Sequence, residues 1–345
     1  MLKDWLRAHV LSTAGWTPEN LAPLLDLASG HKKGLSERED GALNLSREAP
    51  RLRSAQILLT LFFEPSTRTR LSFESAAHRL GMNVISVADA VRASSARKGE
   101  SLEDMAKIVS AYGDVVVIRH PELGSAARFA SASAIPVLNA GDGPGEHPTQ
   151  SLVDLFTMRE AFGSLKGLKV GLCGDLRYGR TIHSLLRLLI LFDCEITAIS
   201  PEELAIPSEV LQKIPGVKNH LRKEPDLRKV LPQLDVLYMT RVQKERFRDV
   251  GTFEKVRDSY RLIKEDLELA PSHLKVLHPL PRVNEIATDV DQDPKALYFA
   301  QSANGIPVRM ALLSAILGIE GPSTVRHRKQ SPRTAAPKPF TTLVS

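Results

Sequence analysis

Gln56-Ile57-Leu58-Leu59-Thr60-Leu61-Phe62-Phe63 runs directly into Glu64-Pro65-Ser66-Thr67-Arg68-Thr69-Arg70. The first eight residues are nearly all apolar, which predicts a strand buried on both faces. Pro65 has no N–H for a ladder and ends it. Ser66 is a favourable N-cap, and a helix over residues 67–80 follows, with Leu71, Ala76, Ala77 and Leu80 on or near one face and Gly81 as the stop. Strand, tight turn and helix together aim free backbone N–H groups and the positive end of a helix dipole at the space above the turn. Ser66, Thr67, Arg68 and Thr69 add hydroxyls and a guanidinium with no acid among them. A capped helix with solvated arginines would explain an isolated Ser-Thr-Arg. Four consecutive donors are better explained as a cradle for a tetrahedral dianion.

Working outward, strand and helix patterns alternate along the whole chain. Upstream, Thr17-Pro18-Glu19 opens a helix with Leu21, Leu24, Leu25 and Ala28 on one face and Gly30 as its stop. Residues 31–53 read as a charged surface loop or weak helix. Downstream, strands are expected over residues 84–87, 114–118 and 135–139. Helices are expected from the Ser101-to-Asp104 capping box to Gly113, over residues 125–133, and over 151–162. The pattern restarts with strands at 168–173, 195–200, 235–240 and 275–278. Helices fall at 178–192, 208–214 and 226–231, and a last apolar helix covers 304–317. Such alternation predicts an α/β fold of two doubly wound parallel-sheet domains linked by helices. The divisions are 1–160, 161–303, a returning helix at 304–320 and a basic tail at 321–345. Gly171-x-x-Gly174 lacks the Gly-x-Gly-x-x-Gly spacing and no acid ends the next strand, which argues against a nicotinamide cofactor.

Composition sets further bounds. A chain of 345 residues, 43% hydrophobic and 25% charged, is ordinary for a globular protein with two cores. Of the net charge of +6, five units come from Arg326, Arg328, Lys329, Arg333 and Lys338 in the tail, leaving +1 for the rest. The body is therefore close to neutral, and a general nucleic-acid surface is not supported. The two cysteines, Cys173 and Cys194, lie in apolar runs and read as buried thiols of a reducing compartment. There is no zinc spacing, no run of eighteen apolar residues and no signal-peptide pattern, so a cytoplasmic protein without membrane contact or metal is expected.

Ligands of open α/β sheets sit beyond the carboxyl ends of the strands. The polar outliers gather there: Ser66 to Thr69, Arg119, His147 and Gln150 in the first half, then Arg180, Arg241, Gln243 and Leu280-Pro281-Arg282 in the second. Singly, each is more often a cap or a surface charge. Their shared position predicts one site in a cleft between the domains.

Residues 62–74, Phe-Phe-Glu-Pro-Ser-Thr-Arg-Thr-Arg-Leu-Ser-Phe-Glu, resemble the carbamoyl-phosphate signature of the aspartate and ornithine carbamoyltransferases. The resemblance extends from about Trp16 to about Leu317. It implies carbamoyl phosphate bound by Ser66, Thr67, Arg68 and Thr69. Thr69, Arg119 and His147 would hold the carbonyl oxygen, with Gln150 and the Leu280–Pro281 turn at the carbamoyl NH2. Arg180, Arg241 and Gln243 would take the two carboxylates of L-aspartate, and Glu64 would bridge to Arg180 and Arg246 on closure. Arg241-Val242-Gln243 suits an acidic acceptor, and His278-Pro279-Leu280-Pro281 stands where ornithine enzymes carry a cysteine before Leu-Pro. The implied activity is carbamoyl transfer to L-aspartate, the committed step toward pyrimidines, with no cofactor. The family also implies a homotrimer with shared active sites, in which Ser94 and Lys98 of the small, basic 91–99 loop reach a neighbour's substrates. It leaves open a regulatory chain or a dihydroorotase as further partner. Two other readings compete: a carbamoyltransferase for ornithine or an N-acylated amino acid, and a catalytically silent scaffold subunit. The second conflicts with the presence of Arg68, Thr69, Arg119, His147 and Arg241 together.

Overall fold

The computed structural model describes residues 2–36, 56–90, 99–243, 251, 255–256 and 259–319. Nine strands form two sheets among them. The first holds β1 (Ile57–Phe62), β2 (Asn83–Val87), β3 (Val115–His120) and β4 (Val137–Asp142) in the order β2-β1-β3-β4. The second holds β5 (Lys169–Cys173), β6 (Glu195–Ile199), β7 (Leu221–Lys223), β8 (Val236–Met239) and β9 (Lys275–Leu277) in the order β7-β6-β5-β8-β9. Every pairing is parallel. The helices are α1 (Pro18–Ser36), α2 (Thr67–Arg79), α3 (Leu102–Val109), α4 (Ser125–Ala132), α5 (Pro148–Phe162), α6 (Arg180–Leu191), α7 (Ser208–Gln212), α8 (Val217–His220), α9 (Leu227–Val230) and α10 (Tyr298–Leu317).

The near-continuous apolar strands are explained by the two faces they serve. Leu58, Phe62, Val115, Val117 and Leu138 enter one core, whereas Leu59, Leu61, Val116, Ile118 and Val137 enter another with Met105 and Phe129. The second sheet repeats the alternation: Val170, Leu172, Val236 and Tyr238 face the first core, Cys173, Leu237 and Met239 a third. Period-two alternation is present, but both phases are apolar because helices cover both faces. One core continues from the first sheet through α5 and α10 into the second, so the two sheets share a packed spine.

Several boundaries differ from the sequence expectation. Helix α1 passes through Gly30 to Ser36, since a Cβ at Gly30 would meet nothing and His31 beyond it is buried against Ser314 of α10 at 3.3 Å. Tertiary packing overrides the local stop signal. In α2, Leu71 is 51% exposed and Phe73 takes the core position instead. Helix α10 begins at Tyr298, six residues before the expected start at 304, because Gln301 and Ser302 line the cleft and so break the apolar pattern. It packs on α1, α2 and α5. Strand β7, Leu-Arg-Lys, has no apolar run and was not expected. Residues 37–53 of the expected surface segment, the 91–98 part of the basic loop and the 321–345 tail lie outside the described residues.

Gly174 has a steric origin unrelated to nucleotide binding. Its φ is +111°, and a Cβ there would come within 2.3 Å of the Thr240 carbonyl oxygen. The glycine lets the ends of β5 and β8 approach at the mouth of the cleft. Among the described residues, no helix is long and apolar enough to cross a membrane.

Candidate active site

The carboxyl ends of β1, β3, β5, β8 and β9 border a cavity of about 690 Å³ between the two sheets. Ser66, Thr67, Arg68, Thr69, Arg119, His147, Gln150, Arg180, Arg241, Gln243, Leu280 and Pro281 all line it. Ser94, Lys98 and Arg246 lie outside the described residues.

One wall is the strand–turn–helix. Ser66 stands at the N-cap of α2 with extended backbone, and its side chain makes no capping bond, so its hydroxyl is not consumed by the helix. Arg68 is exposed, and partial desolvation together with the charge of Arg241 lowers its pKa. Two guanidiniums from different domains thus face one space. Among the described residues, five guanidiniums, from Arg68, Arg119, Arg180, Arg241 and Arg309, line the cavity against one carboxylate, Glu64. The cavity is built to receive anions.

Glu64 partly balances that charge. Its Oε2 lies 2.9 Å from Arg119 Nη2 and 3.6 Å from Arg180 Nη2, linking the first domain to the second. Arg119 donates to the Ala140 carbonyl at 3.0 Å and Arg180 to the Gly143 carbonyl at 2.5 Å. Both guanidiniums pass over Gly141, where a Cβ would come within 3.0 Å of each. That close approach accounts for the first glycine of the Gly141-to-Gly145 turn. Asp142 pins the turn by accepting from Gly124 N, Asn139 Nδ2 and Glu146 N. Glu146 then accepts from Thr13, Ser184 and Arg187, tying the N-terminal segment and α6 to the residue beside His147.

His147 sits at the N-cap of α5 and is 5% exposed. Burial, followed by Arg180, Arg119 and Arg309, holds its pKa well below the usual 6.5. It is therefore a neutral imidazole at physiological pH, with one N–H to donate.

On the facing wall, Gln243 is held through both its backbone and its side-chain amide. Its N–H donates to Asp175 Oδ2 at 3.1 Å and its Nε2 to the Tyr178 carbonyl at 2.9 Å. The Leu280–Pro281 turn is set by a buried pair. Leu280 N–H donates to His278 Nδ1 at 2.8 Å, so that nitrogen must accept and the ring proton is on Nε2, 2.7 Å from Glu285 Oε1. Burial lowers the pKa of His278; in Glu285 burial is the largest influence and raises the pKa, but His278 and the backbone N–H donors together outweigh it and leave it lowered. Neutral His278 thus donates to a carboxylate. Leu280 is left with φ +53°, a conformation unusual for leucine that the surrounding bonds hold in place.

Sequence reading did not single out Arg309 and Gln301, which line the cavity, or Asp154 beneath Gln150. Arg309, 3% exposed, lies over the Phe73 ring at 4.9 Å and donates to the Gly305 carbonyl, while its buried Nε has no partner among the described residues. Burial lowers its pKa to about 10. Gln301 donates to Asp154, and Asp154 underlies Gln150. The one available signal was a charge inside an apolar helical run, Leu152-Val153-Asp154-Leu155-Phe156 and again Pro307-Val308-Arg309-Met310.

Residues 8–160 match the carbamoyl-phosphate-binding domain of the aspartate/ornithine carbamoyltransferases, and residues 166–316 match their aspartate/ornithine-binding domain. Fold and cleft thus place the chain in the class of two-domain carbamoyltransferases. It belongs to the aspartate/ornithine carbamoyltransferase family. Among its relatives are the aspartate carbamoyltransferase catalytic subunits of Thermococcus kodakarensis, 48% identical over 320 residues (92% of this chain, 99% of the relative), and Methanopyrus kandleri, 48% identical over 318 residues (92% and 99%). Aspartate transcarbamoylase from Trypanosoma cruzi, solved with carbamoyl phosphate and aspartate, superposes with a TM-score of 0.84 at 35% identity, covering 92% of this chain and 98% of that one. The catalytic subunit from M. jannaschii gives 0.79 at 41% identity, covering 90% and 98%.

Proposed function

We propose that this chain transfers the carbamoyl group of carbamoyl phosphate to the amine of L-aspartate, giving N-carbamoyl-L-aspartate and phosphate, the committed step toward pyrimidines. The observation that carries this reading is the facing of two anion sites across one cavity. The Ser66-to-Thr69 turn is on one wall, and Arg241 with Gln243 on the other. Its relatives are named for the aspartate reaction, and neighbouring structures hold both substrates.

In this reading the phosphate lies on the N-terminus of α2, held by Ser66, Thr67, Arg68 and Thr69. Thr69, Arg119 and His147 point donors at the carbamoyl oxygen. Gln150 and the Leu280 carbonyl accept from the NH2 group, with Pro281 shaping the turn. Arg180 takes the α-carboxylate of aspartate and Arg241 with Gln243 the side-chain carboxylate. The neutral amine attacks the carbamoyl carbon, and the carbonyl oxygen gains charge among the donors. The C–O bond to phosphate then breaks, and the departing phosphate takes the amine proton. No protein nucleophile is required; the residues position the reactants and stabilise charge. Neutral His147 fits a hydrogen-bond donor to the oxygen better than an acid, since its proton is not labile near pH 7. The Glu64 link between Arg119 and Arg180 fits a cleft that closes around both substrates and excludes water.

A carbamoylation assay with aspartate and ornithine side by side tests the assignment. Turnover of aspartate is expected and turnover of ornithine is not, because its cationic side chain would face Arg241. Preferred carbamoylation of ornithine would overturn it.

The same reading includes a cytoplasmic homotrimer in which Ser94 and Lys98 of one subunit complete the site of the next. Mixing Lys98→Ala with His147→Ala subunits, each nearly inactive alone, should restore activity, because some interfaces then pair an intact Lys98 with an intact His147. Hybrids that form and stay inactive would place Lys98 within its own site.

A further inference from the structure

Asp154 lies on α5 one helical turn beyond Gln150 and is completely buried. Its Oδ1 accepts from Gln150 Nε2 at 2.8 Å and from Gln301 Nε2 at 2.7 Å, and its Oδ2 accepts from the Tyr238 hydroxyl at 2.9 Å. The three donors come from α5, α10 and β8, so the carboxylate sits where both domains and the C-terminal helix meet.

An ionised carboxylate accepts hydrogen bonds and donates none, whereas a primary amide has a donor end and an acceptor end. A carboxylate between two glutamines therefore fixes both in the same sense, NH2 toward it and oxygen away. For Gln301 the consequence is visible: its Oε1 accepts the His278 N–H at 2.8 Å. His278 in turn accepts from Leu280 N–H and so holds the Leu280–Pro281 turn at the cavity wall. For Gln150, which lines the cavity, the end left to the cavity is Oε1.

We infer that Asp154 is a positioning residue that gives the cavity its selectivity for a carbamoyl amide, by presenting Gln150 Oε1, and through Gln301 and His278 the Leu280 turn, as acceptors for N–H. This rests on the reading that Gln150 receives the carbamoyl NH2. The selectivity is against ligands with the same phosphate and carbonyl but no N–H, of which acetyl phosphate is the simplest. Burial raises the pKa of Asp154 to about 6 against the pull of Gln150, Gln301, Tyr238 and Arg309, so it is ionised, and purely an acceptor, at neutral pH. Were it only a rivet between domains, its loss would weaken all ligands alike.

The test compares equilibrium binding of carbamoyl phosphate, acetyl phosphate and inorganic phosphate, without aspartate, to the full chain. Both amides bond the same oxygen, so the variant must remove every acceptor: Asp154→Leu leaves neither glutamine held with its NH2 inward. Carbamoyl phosphate should bind about tenfold more weakly, as expected for an unmatched buried polar contact. Acetyl phosphate and phosphate should change less than twofold. Tyr238→Phe, which removes the interdomain bond and spares both glutamines, should leave the ratio of carbamoyl to acetyl phosphate affinity unchanged. Equal weakening of all three ligands in D154L would overturn the inference in favour of a purely structural role. Gln150→Ala separates the two layers of the argument. If it fails to lower the ratio, the assignment of Gln150 to the carbamoyl NH2 is wrong. If it lowers the ratio and D154L does not, Asp154 does not set the selectivity. Should D154L not be recovered folded, Asp154→Val, which likewise offers no acceptor, carries the same comparison.

Discussion

Exchange of His147 for alanine is expected to lower kcat about a hundred- to a thousand-fold, the loss typical of one preorganised donor to a developing oxyanion. The His147 ring is buried at the head of α5, beside Arg119 and Arg180, and is kept neutral by burial and by three guanidiniums. A neutral ring contributes one N–H and costs no reorganisation when the carbonyl oxygen gains charge. Two readouts distinguish this donor role from acid catalysis. His147→Asn, which retains an N–H, should recover part of the loss. The shape of the kcat profile between pH 6 and 8 should be the same in the wild type and in His147→Asn, since the histidine does not titrate there in the folded protein. Disappearance of a limb in that range would make His147 an acid. Stability carries the opposite signature. The folded pKa is depressed from 6.5, so below that pH the unfolded chain binds a proton that the native chain does not. This group therefore removes stability as pH falls below 6.5, and acid unfolding of His147→Ala should begin at lower pH.

Arg241→Ala is expected to raise the KM for aspartate about ten- to a hundred-fold while the affinity for carbamoyl phosphate changes little. A charge-assisted hydrogen bond contributes about 1.5–3 kcal/mol, which spans that range. Arg241 belongs to the wall that carries Gln243, across the cavity from the α2 turn. Its charge lowers the pKa of Arg68, so some effect on the phosphate side is built in, of the same sign as relieved repulsion. Aspartate saturation and equilibrium binding of carbamoyl phosphate measure the two effects separately. An unchanged aspartate KM would remove Arg241 from the acceptor site.

Local signals carried much of the fold. Apolar runs of strand length, punctuated by Pro65, Gly81 and the Gly141-to-Gly145 turn, mark strands that end where polar residues begin. Because strands β1, β3, β4, β5 and β8 are parallel and covered on both faces, their carboxyl ends are where a polar side chain meets a ligand rather than a core. Ser66 to Thr69, Arg119, His147, Arg180 and Arg241 were legible for that reason. The stops at Gly30 and the start of α10 were not, since a glycine over open space and two polar residues facing a cleft give no local sign of what packs beside them.

The sequence by itself determined the alternation of strands and helices, the phosphate-type turn and the set of cations around it. Only the tertiary structure decided how those cations are held apart and made useful. Glu64 reaches both Arg119 and Arg180, Gly141 makes room for them, and burial among guanidiniums keeps His147 neutral. Asp154, Gln301 and Arg309 read in the sequence as isolated polar residues in apolar helices. Two of the three partners of Asp154, Tyr238 and Gln301, lie 84 and 147 positions away, and a hydrogen bond that joins residues so distant has no period, spacing or cap to announce it. Which end of an amide faces the cavity depends on such bonds, because both ends have the same shape and differ only in what the surrounding fold donates or accepts.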